Sequence, residues 1–96
     1  MTNMDIASLE RDIMDSIETS KRELNYNPTR FLQMIREYGM YETIKKLIAN
    51  RQLSEGYIKL FMAGRPELSV EFFVVKYAYL FEDDEVKYCK ELLSTK

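Results

Sequence analysis

The side chains of this chain that could do chemistry are carboxylates, guanidinium groups and hydroxyls, because the sequence contains no histidine. Histidine is the commonest general base near neutral pH, so Ser-His and Cys-His nucleophile pairs are also excluded. The three glycines, Gly39, Gly56 and Gly64, are far apart and cannot form a loop that cradles phosphate. We therefore expect a protein with no catalytic residue, no cofactor and no small-molecule substrate.

Two features resemble metal sites only superficially. The run Glu82-Asp83-Asp84-Glu85 supplies oxygen ligands, but it lacks the alternation and the central glycine of a calcium-binding loop. Cys89 has no second cysteine or histidine with which to bind zinc. We expect the acidic run to begin a helix, Cys89 to be a buried thiol, and no metal to bind.

Arg65 is the basic residue with the most suggestive neighbours. It stands between Gly64 and Pro66, and Glu67 and Glu71 follow within reach. Arginine binds a carboxylate through two parallel hydrogen bonds, and such a pair would fix the angle between two helices. We interpret Arg65, Glu67 and Glu71 as a structural corner in preference to a ligand site.

The charge of the chain is divided unevenly. Residues 26–65 carry seven basic and three acidic side chains, whereas the segments before and after are both acidic. An anionic partner would have to contact this middle third, where tyrosines are interleaved with the basic residues. The candidate nucleic-acid-binding residues are Arg30, Arg36, Lys45, Lys46, Arg51 and Lys59. A solvated basic face is the alternative interpretation.

Four of the seven tyrosines lie outside the apolar stripes that face the core: Tyr26, Tyr38, Tyr41 and Tyr77. Tyrosine supplies large amphipathic contacts at protein interfaces. The same side chains can instead cap a core with their hydroxyl groups in water. Both interpretations remain open, and the four are candidate protein-binding residues.

Apolar spacing and helix boundary residues predict the elements that must position these groups. The expected helices span residues 4–23, 28–39, 40–50, 54–64 and 69–81, followed by a last helix that begins in the acidic run 82–85 and continues to residue 93. Segment 69–81 is too apolar all round for a surface helix, so it should be central. We predict an all-α fold, a single compact bundle of five to six helices around a central apolar helix.

The size and composition fit one soluble domain. The chain has 96 residues, of which 46% are hydrophobic and 31% charged. One cysteine cannot form an internal disulfide, and no apolar run is long enough to span a membrane. We expect a single helical domain over 1–96 and a cytoplasmic location.

Several motifs in order resemble those of a known type of bacterial protein. They are YNPTRFLQMI at 26–35, SEGY at 54–57, GRPELSVE at 64–71 and LF at 80–81. The set resembles a small all-helical module of unassigned activity that occurs alone or appended to larger proteins. The match covers 14–93 and leaves 1–13 as an N-terminal extension of the first helix. Glu67 and Ser69 stand where aspartate and threonine are more usual. The resemblance implies a helical fold and no catalytic residue.

We therefore expect a non-enzymatic module that binds another protein or a second copy of itself. The alternative is an accessory factor that binds nucleic acid without sequence preference through the basic middle helices.

Overall fold

The computed structural model describes residues 3–51 and 54–94, and within them every regular element is helical. The α-helices are α1 (Asn3–Leu24), α2 (Thr29–Tyr38), α3 (Met40–Ala49), α4 (Glu55–Met62), α5 (Val70–Lys76) and α6 (Asp83–Ser94). Single 3₁₀ turns, Pro66–Leu68 and Ala78–Leu80, precede and follow α5. The predicted all-α bundle is confirmed. No helix of the described residues is long and apolar enough to cross a membrane.

The longest helix, α1, supplies one side of the core. Leu9, Ile13 and Ile17 recur every four residues, and all three are buried. Ser16 is buried on the same side and donates a hydrogen bond from its hydroxyl to the carbonyl of Leu68. The sequence resemblance did not extend to residues 1–13, but Leu9 shows that this extension contributes to the core.

Helix α2 lies at the surface and packs on the core with one side only. None of its side chains is fully buried, although Phe31, Leu32 and Ile35 pack partly against the buried cluster. The expected start at Pro28 is shifted by one residue, because Pro28 occupies the cap position and no side chain caps the helix. Gly39, with φ of +85°, joins α2 directly to α3.

The central apolar segment is interrupted. The hydroxyl of Ser69 accepts the backbone N–H of Phe72 and begins α5. The helix ends at Lys76, and the chain continues through the turn Ala78–Leu80, so 69–81 is not one continuous helix. Phe73, Val74, Leu80 and Phe81 are nevertheless buried, and α5 packs most extensively on α6.

Charged pairs connect the start of α6 to α3 and to the turn that follows α3. Lys45 donates to Glu85 at 2.9 Å, and Arg51 donates to Asp84 at 2.9 Å. The carboxylate of Glu85 also accepts the backbone N–H of Glu82 at 2.9 Å, which satisfies a donor at the helix start. Cys89 is completely buried in this helix, and its burial raises the pKa of the thiol to about 12.

Candidate functional site

One concave feature of the described structure is an open cleft of about 440 Å³. Its walls come from α1, from the 26–31 segment with the start of α2, from α3, and from α4. The apolar lining includes Ile13, Ile17, Phe31, Leu47 and Leu60. We call this feature the cleft. Because α2 buries no side chain completely, one wall is formed by an element that the core holds only on one side.

Glu71 is the acidic residue in the interior of the cleft lining. It is only 6% exposed, and its carboxylate accepts a long hydrogen bond of 3.4 Å from the hydroxyl of Ser54. Burial raises the pKa of Glu71, while its own backbone N–H and Ser54 act in the opposite direction. Glu71 in turn adds to the burial effect that raises the pKa of Tyr57 and of Tyr88.

Glu71 differs from the other carboxylates that are withdrawn from solvent. Glu85 is buried to a similar extent, at 7% exposure, but Lys45 lies 2.9 Å from it. Asp12 is bound by Lys76 and by Tyr77. Within residues 3–51 and 54–94, no basic side chain forms an ion pair with Glu71. Buried charges are normally paired, so this carboxyl has unused capacity to accept a donor.

Arg65 forms ion pairs at the predicted corner, but its second carboxylate partner is Glu23 and not Glu71. Arg65 donates from Nε to Glu67 at 2.6 Å and from Nη1 to Glu23 at 2.7 Å. These bonds lower the pKa of both carboxyls and connect the end of α1 to the turn before α5. Glu71 does not join them, because it lies on the buried side of α5 whereas Arg65 is partly exposed. This part of the sequence interpretation is corrected.

The four candidate tyrosines fall into two groups, two that are hydrogen-bonded within the fold and two that are accessible. Tyr41 donates its hydroxyl to the carbonyl of Leu80 at 2.6 Å, and Tyr77 donates to Asp12 at 2.6 Å. Tyr38 is exposed, and Tyr26 is partly buried and lines the cleft. The first pair therefore stabilises the bundle, and the second pair remains accessible for contacts.

Tyr26 also separates the cleft from a second hollow of about 450 Å³. This hollow is lined by Leu24, Tyr26 and α4, including Ile58 and Met62. Ile58 is 44% exposed and Met62 is 80% exposed. They lie four residues apart and so share one side of α4. We call Ile58 and Met62 the α4 ridge. The sequence interpretation missed this ridge. Ile58 and Met62 are apolar residues of α4 that do not belong to the stripe facing the core, and that could have indicated it.

The six basic candidates do not form a continuous set of free cations. Lys45 and Arg51 pair with α6, and Lys59 lies 3.9 Å from Glu55. Lys46 lies over the ring of Tyr38, 4.7 Å from its centroid. Arg30 and Lys46 line the cleft and are exposed, as is Arg36 on α2. Carboxylates thus already neutralise three of the six.

Comparisons with known proteins add no identification. No family model matches the chain, and neither the curated proteins nor the solved structures include a match. The described residues contain no group of three or more histidine, cysteine, aspartate or glutamate side chains placed to hold a metal ion. The candidate functional features of the described structure are therefore the cleft, Glu71 and the α4 ridge.

Proposed function

We propose that this protein is a non-enzymatic interaction module that binds another protein through the cleft and the adjoining α4 ridge. The observation that carries the proposal is the position of Ile58 and Met62, exposed apolar residues beside an open cleft. The two hollows share Tyr26 and Leu60, so one partner can contact both. A bacterial and cytoplasmic setting remains a prediction from the sequence.

The cleft has the size expected of a binding pocket. Such pockets in proteins range from about 300 to 1,000 Å³ and combine apolar walls with a few polar groups. At about 440 Å³ the cleft can accept one or two side chains. A small ligand held there would leave Ile58 and Met62 in water, whereas a protein partner would cover them. Exposed apolar side chains that share one side of a helix beside a pocket, as Ile58 and Met62 do, favour a protein partner that removes them from water.

Nucleic-acid binding receives less support from the same geometry. Lys45, Arg51 and Lys59 each lie near a carboxylate, so their positive charge is partly compensated and attracts a phosphate backbone less strongly. The remaining cations are Arg30, Lys46 and Arg36, and the first two lie at the cleft. The protein-binding proposal uses these surfaces without requiring the paired lysines and arginine to be released.

Site-specific photo-crosslinking tests the proposal in the cells from which the gene comes. A photoreactive phenylalanine analogue replaces Met62 in one variant and Lys87 in the control, since Lys87 is exposed and lines neither hollow. We expect protein adducts from position 62 and none above background from position 87. An adduct of twice the chain mass would identify a second copy as the partner. Equal yields at both positions, or none at 62, would contradict the proposal.

A further inference from the structure

We propose that the residue a partner inserts into the cleft is an arginine whose guanidinium group binds the carboxylate of Glu71. This inference rests on the proposed function, because it names the chemistry of the partner that the cleft receives. It follows from three properties of the site: a buried acceptor, apolar walls around it, and the arrangement of the charges at the opening.

The acceptor is the first property. Glu71 is only 6% exposed, and its one described side-chain hydrogen-bond partner is the hydroxyl of Ser54 at 3.4 Å. Glu85 shows how this fold otherwise treats a buried carboxylate, because Lys45 donates to it at 2.9 Å. A cationic donor from a partner would supply Glu71 with a charged hydrogen bond like the one that Lys45 donates to Glu85. Attraction between opposite charges is stronger in such a low-dielectric position than in water.

The walls favour arginine over a compact cation. Ile13, Ile17 and Leu60 line the cleft, and an aliphatic stem can pack along them while its charged head reaches a polar group. Guanidinium is more weakly hydrated than ammonium, so it loses less on entering a partly apolar site. Its planar fork also binds a carboxylate through two parallel hydrogen bonds, whereas an ammonium group acts as a point charge.

The charges at the opening do not reverse this preference. Arg30, Lys46 and Glu55 line the cleft together with Glu71, and all three are exposed. Exposed charges are screened by water and salt, so their effect on an inserted side chain is smaller than that of a buried carboxylate. The ammonium group of Lys46 also lies 4.7 Å from the centroid of the Tyr38 ring, so part of its attraction is already directed to that ring.

Two probes of the same shape test the inference by NMR titration of the isotopically labelled full chain. The probes are n-butylguanidinium, which is cationic, and n-butylurea, which is neutral, each added to about 10 mM because weak fragments bind in the millimolar range. We expect n-butylguanidinium to shift the amide signals of Gly56, Val70 and Glu71, and n-butylurea to shift them much less. Measurement on the unmodified chain makes this comparison independent of any variant.

Two variants locate the charge that is responsible. Glu71→Gln keeps the shape of the side chain and removes its charge, and Glu55→Gln makes the same change at the exposed opening. We expect Glu71→Gln to weaken n-butylguanidinium binding by about tenfold, as for a hydrogen bond to a charged group, and Glu55→Gln to change it less than about twofold. Thermal unfolding of both variants establishes that each is folded.

The outcomes separate this inference from the proposal on which it rests. Equal binding of the two probes, or binding that survives Glu71→Gln, overturns the arginine inference while leaving the cleft as a binding site. The absence of any shift at these amides also overturns it. Crosslinking at position 62 tests the interaction module independently, and its failure together with a positive titration would leave a cation-binding cleft without a protein partner.

Discussion

At the scale of single residues, Glu71 illustrates a conflict between stability and binding. Burial of this carboxyl raises its pKa, so the folded protein holds the proton more strongly than the unfolded chain does. Stability from such a group is greatest at low pH, and it declines as the pH rises through the folded pKa. A charge that costs folding stability is retained most readily where it serves binding.

We predict that Glu71→Gln raises the free energy of unfolding at pH 8, because it removes a buried negative charge that has no basic partner among the described residues. The gain over the unmodified chain should shrink as the pH falls and the carboxyl becomes protonated. Urea unfolding at a series of pH values measures both effects. As a control, Glu85→Gln should destabilise the protein at pH 8, since it leaves Lys45 without its nearest carboxylate. A destabilised Glu71→Gln at pH 8 would contradict this account.

A second residue-scale prediction concerns Tyr77 and Asp12. The hydroxyl of Tyr77 donates to Asp12 at 2.6 Å, which raises the pKa of Tyr77 to about 12 and lowers that of Asp12. Tyr77→Phe should reduce the free energy of unfolding by about 1 to 2 kcal/mol near neutral pH. Tyr79→Phe is the matched control, since the hydroxyl of Tyr79 is exposed and lies 3.4 Å from Asp5. We expect it to change the free energy by less than about 0.5 kcal/mol.

The same pair predicts the pH dependence of the Tyr77→Phe difference. The contribution of Tyr77 is complete below its ordinary pKa of 10.0 and is lost as the pH rises through about 12. The contribution of Asp12 is complete above its ordinary pKa and is lost as the pH falls through its lowered value. The difference between the two proteins should therefore be greatest from pH 5 to 9, as measured by urea unfolding. A difference that does not vary with pH would contradict this assignment.

Sequence reasoning located local contacts at this scale and missed distant ones. Arg65 and Glu67 are two positions apart, and their pairing was predicted and is found. Glu23 is 42 positions from Arg65, and no local pattern could show that the end of α1 comes to lie beside it. Glu71 was assigned to the same corner because charge and spacing were visible in the sequence, whereas its burial depends on how α5 packs on the rest of the fold.

At the scale of elements, α2 and α3 form two sides of the cleft and meet at Gly39. This residue has φ of +85° and ψ of 160°, a combination that side chains with a Cβ strongly disfavour. No atom lies within 4 Å of the place where a Cβ would stand, so the restriction comes from the backbone alone. The angle between the two walls therefore depends on one glycine.

We predict that Gly39→Ala destabilises the protein by about 1 to 3 kcal/mol through this backbone restriction. Glu37→Ala, an exposed substitution by a good helix former two residues earlier, should change stability by less than about 0.5 kcal/mol. Thermal or urea unfolding of the two variants provides the comparison. If Gly39→Ala were as stable as Glu37→Ala, the junction would not require glycine.

Two helix starts were predicted well because a serine caps each of them. Ser54 and Ser69 begin α4 and α5 as expected, because each hydroxyl accepts a backbone N–H of the first turn. The end of α5 at Lys76 was not foreseen, since apolar residues continue without a glycine or proline through Phe81. Leu80 and Phe81 pack into the core beyond the end of α5, and the chain reaches that position through the turn Ala78–Leu80. A local sequence pattern does not contain this tertiary information.

At the scale of the whole molecule, the uneven charge along the sequence is largely balanced within the fold. The basic middle third contributes Lys45 and Arg51 to pairs with the acidic start of α6, and Arg65 to pairs with Glu23 and Glu67. Segments of opposite charge in the sequence thus become neighbours in space. The net charge of each third, which sequence alone provides, overstates the positive charge available to an anionic partner.

We predict from this balance that the protein is retained only weakly on a heparin or DNA column and elutes below about 0.15 M salt, where few phosphate contacts can form. A variant with Asp84→Asn and Glu85→Gln removes the carboxylates that lie nearest to Arg51 and Lys45, so it should elute at higher salt. A control with Glu10→Gln and Asp15→Asn removes the same two negative charges from exposed positions on α1. It should elute close to the unmodified chain if local pairing, and not net charge, limits the interaction. Strong retention of the unmodified chain at physiological salt would instead favour the nucleic-acid alternative, because the paired cations would then have to exchange their carboxylates for phosphate.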